Sequence, residues 1–346
     1  MGILSAWRLT NGGQRVDGIS SPYTTNQLSG IVLGDIFKGV EFPLTREEAI
    51  QVPAVSKARN LLAPLIGRQP LVALDANGVL PPARQPSFLY RSDSPVISPA
   101  LMWTWVVDDL IFRGASLLGV KRGTDGFPLS LERIDPSRWT ITNGAILVDE
   151  KPVTEGAGGS VIYVPGFVDA LLDVGSRTIR QSRDIEDAVA GRARNPIPTT
   201  VIRQTEDNAD LEQDEVKAIV EAYTRNRRDP DGTVAFLPYG LEMEALGESE
   251  PSMFENARNF SRIDVGSFLG VPSSMMDATT VQASLTYENK AGERSRFYVE
   301  ALPLFSGPIE HRLSLDDVVP RGQRVRFDFT ELYAASPTAT DAPIQD

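Results

Sequence analysis

The sequence predicts an α+β protein, long enough for two or three domains or for one elongated subunit of several parts. Three observations predict it. Short strands joined by Gly- and Asn-containing turns cluster between residues 115 and 164. Two long helical stretches, 177–195 and 252–270, bracket a small strand, helix, strand insert. A further helical stretch and one last strand follow, with no internal repeat anywhere. At 346 residues and 41% apolar content, the chain can bury a substantial core.

Residues 1–40 are rich in Gly, Ser, Thr and Asn without a sustained period, which predicts an arm that is extended or ordered only by neighbours. Pro53 stands at the start of a helix, where its missing N–H is harmless. Val55, Ala58, Leu61, Leu62 and Leu65 follow at helical spacing, and Pro64 is expected to kink or end the helix. Residues 70–74 read as a strand closed by the turn Asp75, Ala76, Asn77, Gly78. Ser98 before Pro99 marks a second helix start, and Gly114 its stop. Strands 115–121 and 129–134 flank the turn 123–126. A second hairpin turns on Asn143 and Gly144 between 139–142 and 145–148, and 161–164 adds a strand.

The character changes at Ser176. Residues 177–195 are helical in propensity but mostly charged, with Ile179, Ile185 and Val189 as a thin apolar stripe. Arg180 with Asp184, and Arg183 with Asp187, can pair at i, i+4. Such a helix suits packing beside copies of itself or projection from the body. The insert reads as a strand at 199–203, a helix capped by Asp210 and carrying Arg225, Arg227 and Arg228 near its negative end, and a strand at 234–237. A capping box from Ser252 to Glu255 opens the next helix, which Gly270 and Pro272 stop. A polar loop, 273–282, leads to helix 284–302. Pro303 is expected to interrupt it before 309–313 resumes, and a strand at 324–329 closes the fold. Residues 334–346 predict disorder.

Composition removes whole classes of function. The chain contains no cysteine, so disulfides, thiolate metal sites and a cysteine nucleophile are excluded. The first residues lack a signal peptide pattern, and no apolar run reaches the length of a membrane span. The formal net charge of −12 argues against a tight grip on phosphates. The sole histidine, His311, reads as a surface or packing residue far more readily than as a base or ligand, and a His-carboxylate metal set cannot be built. Gly156, Gly158 and Gly159 lack the Lys-Ser/Thr pair of a phosphate loop and read as a hairpin loop. The pairs Asp108, Asp109 and Asp316, Asp317 read as solvated faces or turns, and Trp103 and Trp105 as core. Arg225, Arg227 and Arg228 lack the interleaved aromatics of a base-stacking platform. No cofactor and no catalytic residue is predicted.

Four local stretches, in order, resemble the portal proteins of tailed bacteriophages. They are 52–78; 109–139, with Phe112, Arg113, Gly114 and then Leu131, Glu132, Arg133, Ile134, Asp135, Pro136; Phe268, Leu269, Gly270, Val271, Pro272; and 287–313, with Tyr287, Glu288, Asn289, Phe297, Ala301, Leu302, Pro303, Ile309, Glu310 and Leu313. The resemblance covers about 45–333. It departs where Gly114, Ala115, Ser116, Leu117 replace the frequent Gly-Asn-Ala-Tyr, and in a histidine missing from 161–164. It implies an α/β wing (41–175 and part of 284–333), stem helices (176–195 and 249–272), a clip (196–248), a tunnel loop (273–283) and a kinked tunnel helix, with the crown reduced or absent.

The implied function is a dodecameric ring at one capsid vertex of the virion, assembled in the host cytoplasm, through which double-stranded DNA passes with weak contacts. The implied partners are further copies of the chain, the major capsid protein, the terminase large subunit and the head-to-tail adaptor, with no membrane. Ser273, Ser274, Asp277, Thr279, Thr280 and Gln282 are the expected DNA-facing residues. Arg180, Arg183, Asp184 and Asp187 are the expected stem contacts between subunits or toward DNA, and Arg225, Arg227 and Arg228 the expected contacts with motor or adaptor. The alternatives are another virion structural subunit, such as an adaptor or minor head protein, and an unrecognised soluble enzyme.

Overall fold

A computed structural model describes residues 43–194, 199–204, 213–227, 241–246, 251–278 and 287–334. The predicted arm and all but the first residue of the tail lie outside these. The chain divides into two compact units, one of residues 185–256 and one of the remainder, with both boundaries falling inside long helices.

The larger unit opens with a one-turn helix, α1 (Arg46–Ala49), which the sequence pattern does not announce. Its capping box explains it: Thr45 Oγ1 accepts from Glu48 N at 3.2 Å while Glu48 Oε2 accepts from Thr45 N at 3.0 Å. Helix α2 (Pro53–Gly67) starts on Pro53 as expected but runs through Pro64 without ending. The carbonyl that Pro64 cannot serve belongs to Asn60, which is exposed, so water can satisfy it. Strands β1 (Leu71–Asp75) and β2 (Gly78–Val79) form the expected turn. Helix α3 (Pro99–Arg113) has the expected ends, with Ser98 Oγ accepting from Leu101 N and Gly114 at φ +68°.

Six strands follow in two three-stranded antiparallel sheets. Strands β3 (Ala115–Arg122), β4 (Pro128–Ile134) and β8 (Val161–Pro165) pair in the order β4-β3-β8. Strands β5 (Trp139–Thr142), β6 (Ala145–Val148) and β7 (Lys151–Val153) pair in sequence order. Pro152 argues against a strand from sequence, and β7 tolerates it because it is an edge. Residues Ala115 to Val120 of β3 are buried on both faces. One face meets the main core, and the other meets a small cluster of Leu117, Ile134, Ile146, Val148 and Val161.

After α4 (Leu171–Val174), helix α5 (Ser176–Arg194) crosses from the larger unit into the smaller one. The smaller unit then holds β9 (Thr199–Gln204), α6 (Gln213–Arg227) and β10 (Leu241–Leu246). The insert is therefore strand, helix, strand as expected, but the strand that pairs with β9 is β10, joined antiparallel from Leu241↔Gln204 to Leu246↔Thr199. The 234–237 expectation and the Asp210 cap lie outside the described residues. Helix α7 (Pro251–Leu269) starts one residue before the expected Ser252 cap, because Pro251 fits the first helical turn.

In the larger unit the last helical region is continuous. Helix α8 (Tyr287–Arg296), a π-helical segment (Phe297–Ala301) and α9 (Leu302–Leu313) follow without a break, so Pro303 does not interrupt the helix. The wider π turn places Pro303 in the first turn of α9, where the lost N–H costs little. Val299, whose carbonyl Pro303 cannot serve, is 66% exposed. Strand β11 (Arg324–Phe327) returns to pair with β1, ending two residues short of the expected 329, and α10 (Thr330–Ala334) follows it. The free edge of β11 is covered by side chains from α9 and its cap. Glu310 Oε1 accepts from Phe327 N at 2.9 Å, and Ser314 Oγ accepts from Val325 N at 2.9 Å.

The core corrects the reading of the paired aspartates. Asp108 and Asp109 are 1% and 3% exposed, not solvated. They diverge on α3. Asp108 takes Arg46 Nε and Arg59 Nε, both at 2.6 Å, which ties α1 and α2 to α3. Asp109 takes Arg133 in a two-point pair at 2.6 and 2.7 Å and Ser116 Oγ at 2.8 Å, which ties β4 and β3 to the same helix. Asp317 is likewise drawn inward, accepting from Arg312 Nη1 at 3.0 Å, while Asp316 stays on the surface. Trp103 and Trp105 are buried as expected, at 2% and 6% exposure. Burial pushes the Asp109 carboxyl up to about 6, against the opposing pull of Arg133.

Two predictions follow from these pairs. Asp108→Asn keeps the side-chain volume but removes the carboxylate that Arg46 and Arg59 share. Urea denaturation should show a loss of about 3–5 kcal/mol, and a loss below about 1 kcal/mol would refute the assignment. Asp109 holds its proton more tightly folded than unfolded. Its contribution is therefore full below the unfolded value near 4 and is lost as pH rises through about 6. The stability of wild type relative to Asp109→Asn should thus rise as pH falls from 6 to 4, and a flat or inverted difference in paired denaturation curves would contradict it.

Candidate functional site

The stretch from the end of α7 to α9 is built on short-range backbone chemistry. Gly270, at φ +67°, ends α7 in a Schellman motif: Val271 N donates to Gly266 O at 2.8 Å and Gly270 N to Ser267 O at 3.4 Å. Pro272 then starts a single 3₁₀ turn, Ser273–Met276, closed by Asp277 in a left-handed conformation at φ +53°. Met276 is buried at 1% exposure beneath Gly266, where an added Cβ would lie 3.2 Å from Met276 Cγ and 2.7 Å from Val271 O.

Three contacts hold this turn to the body, and a fourth closes the turn on itself. Asp277 pairs with Lys57 of α2, and its carbonyl accepts from Arg262 Nη1 of α7 at 3.0 Å. Ser274 Oγ donates to Glu293 of α8 at 2.6 Å. Ala278 N donates to Ser273 O at 3.1 Å. Lys57 and the neighbouring Arg262 hold the Asp277 carboxyl below its ordinary value, hydrogen bonding to Lys57 being the larger cause. Beside Lys57, an open cleft of about 430 Å³ runs along α2, lined by Pro53, Ser56, Lys57, Asn60 and Leu61. Ser273, Ser274 and Asp277 are thus brought together as a docked turn. Thr279, Thr280 and Gln282 lie outside the described residues. Lys57, Arg262 and Glu293, which hold the turn, carry no local sequence signal, since Lys57 stands 220 residues before Asp277.

The remaining expected residues are dispersed. Arg183 meets Glu48 of α1 at 3.6 Å rather than pairing along its own helix with Asp187. Glu48 is already fixed by the capping box through Oε2, which leaves Oε1 to receive the arginine. Arg180 is half-buried, and Asp184 and Asp187 are exposed. Arg225 and Arg227 lie in the last turn of α6, and Arg228 lies outside the described residues.

The other sequence features have structural explanations. The glycine loop at 156–160 turns carbonyls inward: Arg122 donates to Gly156 O and Gly159 O, both at 2.8 Å. A phosphate cradle needs the opposite polarity, converging N–H groups. His311 is exposed and packs against Phe167 at 5.6 Å between ring centroids. Among the described residues no group of three or more His, Asp or Glu side chains is placed to hold a metal ion, and no helix is long and apolar enough to cross a membrane.

With this geometry in view, the sequence matches the phage portal protein family across residues 53–342. The chain belongs to that family. An HK97 family phage portal protein from Corynebacterium diphtheriae superposes with a TM-score of 0.68 at 28% identity, covering 86% of this chain and 100% of that one. A chain from the neck of an empty gene transfer agent particle shares the fold at 15% identity and a TM-score of 0.58, covering 90% of this chain and 95% of that one. A chain of a native gene transfer agent virion does so at 16% identity and 0.57, covering 88% and 90%. No protein with a curated description matches the sequence. Portal proteins are structural rather than catalytic.

Gly266 gives a test of the docked turn. Alanine in a helix interior ordinarily gains about 1 kcal/mol over glycine. Here its Cβ would press on the Val271 carbonyl at 2.7 Å. Gly266→Ala should therefore lower the thermal unfolding midpoint, and a raised midpoint would show that Val271 and Met276 are not seated as described.

Proposed function

We propose that the chain is the subunit of a dodecameric portal ring at one capsid vertex, serving as conduit for double-stranded DNA during packaging and ejection. The observation that carries this reading is the family match over residues 53–342, which takes in every described element except α1. In this reading the stem helices are 176–195 and 249–272, the clip is 196–248, and the loop 273–283 lies toward the channel.

The acidic composition supports it physically. A net charge of −12 disfavours multiple phosphate contacts, and a channel through which DNA must slide works by weak contact. The docked turn at Ser273–Met276 fixes the first end of the loop, so Thr279, Thr280 and Gln282 would be the residues facing DNA. Arg225, Arg227 and Arg228 of the clip would meet the terminase large subunit and then the head-to-tail adaptor, while the wing would contact the major capsid protein. Arg180, Asp184 and Asp187 would lie between subunits or toward DNA, with Arg183 anchored to Glu48.

Negative-stain imaging and native mass spectrometry of the purified chain test the reading together. Rings with twelve-fold averages and a mass near twelve times 37.8 kDa are expected. A compact monomer across the full range of protein concentration and salt would overturn it.

A further inference from the structure

Strand β5 lies at one end of the order β5-β6-β7, and its outer edge is open. Arg138 O accepts from Asp149 N at 2.8 Å, which sets the alternation along the hairpin. Thr140 and Thr142 bond to β6, while Trp139 and Ile141 turn their N–H and C=O groups outward. Among the described residues no hydrogen bond meets those outward groups. Neighbouring edges are guarded. On β8, Tyr163 N donates to Glu155 Oε1 at 3.1 Å and Tyr163 O accepts from Arg312 Nε at 3.0 Å, and β7 carries Pro152. The run Trp139, Thr140, Ile141, Thr142 has neither charge nor proline. The apolar face of this sheet is open at the same place. Trp139 and Ile141 pair with Val148 and Ile146, which are buried, yet Ile141 is 48% exposed.

We propose that residues 30–34 of the chain's own N-terminal arm add to β5 as a fourth, antiparallel strand of this sheet. Composition selects the segment: Ile31, Val32, Leu33 is the longest apolar run in residues 1–40, and residues 29–34 are as free of charge as the edge they meet. Reach allows it. Arg46 of α1 is tied to Asp108 of α3, α3 packs on β3, and the β5-β6-β7 sheet lies across β3. Those two layers measure about 10 Å each, whereas residues 34–42 span about 30 Å when extended. So short a tether holds the arm at an effective concentration on the order of millimolar, which favours it over a second copy or a free peptide. Setting Val32 opposite Thr140 puts Ile31 and Leu33 beside Trp139 and Ile141. The outward backbone groups are then paired, and the open apolar face is continued by two more side chains.

Because the chain has no natural cysteine, a disulfide tests the pairing directly. Thr140→Cys with Val32→Cys would form a non-hydrogen-bonded cross-strand pair, close enough for the bond to close. Oxidised full-length chain should run as an internally cross-linked monomer on a non-reducing denaturing gel, with at least tenfold fewer free thiols than the reduced chain. A disulfide-linked dimer would assign the edge to a second copy, and persisting free thiols would show that residue 32 does not reach it; either result overturns the inference. Hydrogen exchange of the cysteine-free chain gives a second readout. The Ile141 amide should exchange at least tenfold faster when Ile31→Asp and Leu33→Asp are combined than in wild type, and an unchanged rate overturns the inference as well. Neither measurement requires ring formation, so failure here leaves the ring reading standing.

Discussion

Helix α3 carries two adjacent carboxylates into the main apolar core, and the elements around it are placed by the arginines that neutralise them. A carboxylate in such surroundings is costly unless paired and hydrogen-bonded. Asp108 meets that requirement with Arg46 and Arg59, and Asp109 with Arg133 and Ser116. Because neighbouring residues on a helix point in different directions, one side of α3 is locked to α1 and α2 and the other to β3 and β4. The guanidinium of Arg46 also lies over the Phe112 ring at 5.1 Å, and that of Arg133 near the Trp105 ring at 6.0 Å, so the cations pack as well as pair. Hydrophobic burial supplies the bulk of the stabilisation, while these pairs fix which elements meet.

The same logic of fixed ends governs the turn after α7. Gly270 permits the chain reversal, Met276 plugs the space beneath Gly266, and Lys57, Arg262 and Glu293 converge on five residues. The turn is thereby held from three sides, by α2, α7 and α8 together. The π segment before Pro303 has a related role. It allows one helix to continue past a proline, so the chain from Tyr287 to Leu313 is one continuous helical run rather than two separate pieces.

How much could be read from the sequence depended on how far apart the partners stand. Helix ends at Ser98, Gly114 and Gly270, and the hairpin at Asn143 and Gly144, were legible because the cap or turn lies within a few residues of the groups it satisfies. Pro64 and Pro303 misled, because whether a proline breaks a helix depends on solvent and on backbone geometry one turn earlier. The aspartates of α3 misled for the reason that makes them important: a carboxylate in an apolar helix looks exposed until the arginines 24, 49 and 62 residues away are seen. At the candidate site, the glycine and proline signals marked where the helix stops. They gave no sign that the following turn is docked on Lys57.

The sequence by itself determined the α+β class, the order of the elements, the absence of cysteine chemistry and the family to which the chain belongs. The first three follow from local propensity, spacing and composition, and the family from the resemblance of four stretches of sequence; none of them needs knowledge of what lies across the core. Only the tertiary structure decided that β11 closes the first sheet against β1, that β10 pairs with β9, that Asp108 and Asp109 are buried, and that a fixed turn follows α7. Each of those is a contact between residues far apart in the chain. Its free energy comes from burial and charge neutralisation that exist only once the chain has folded.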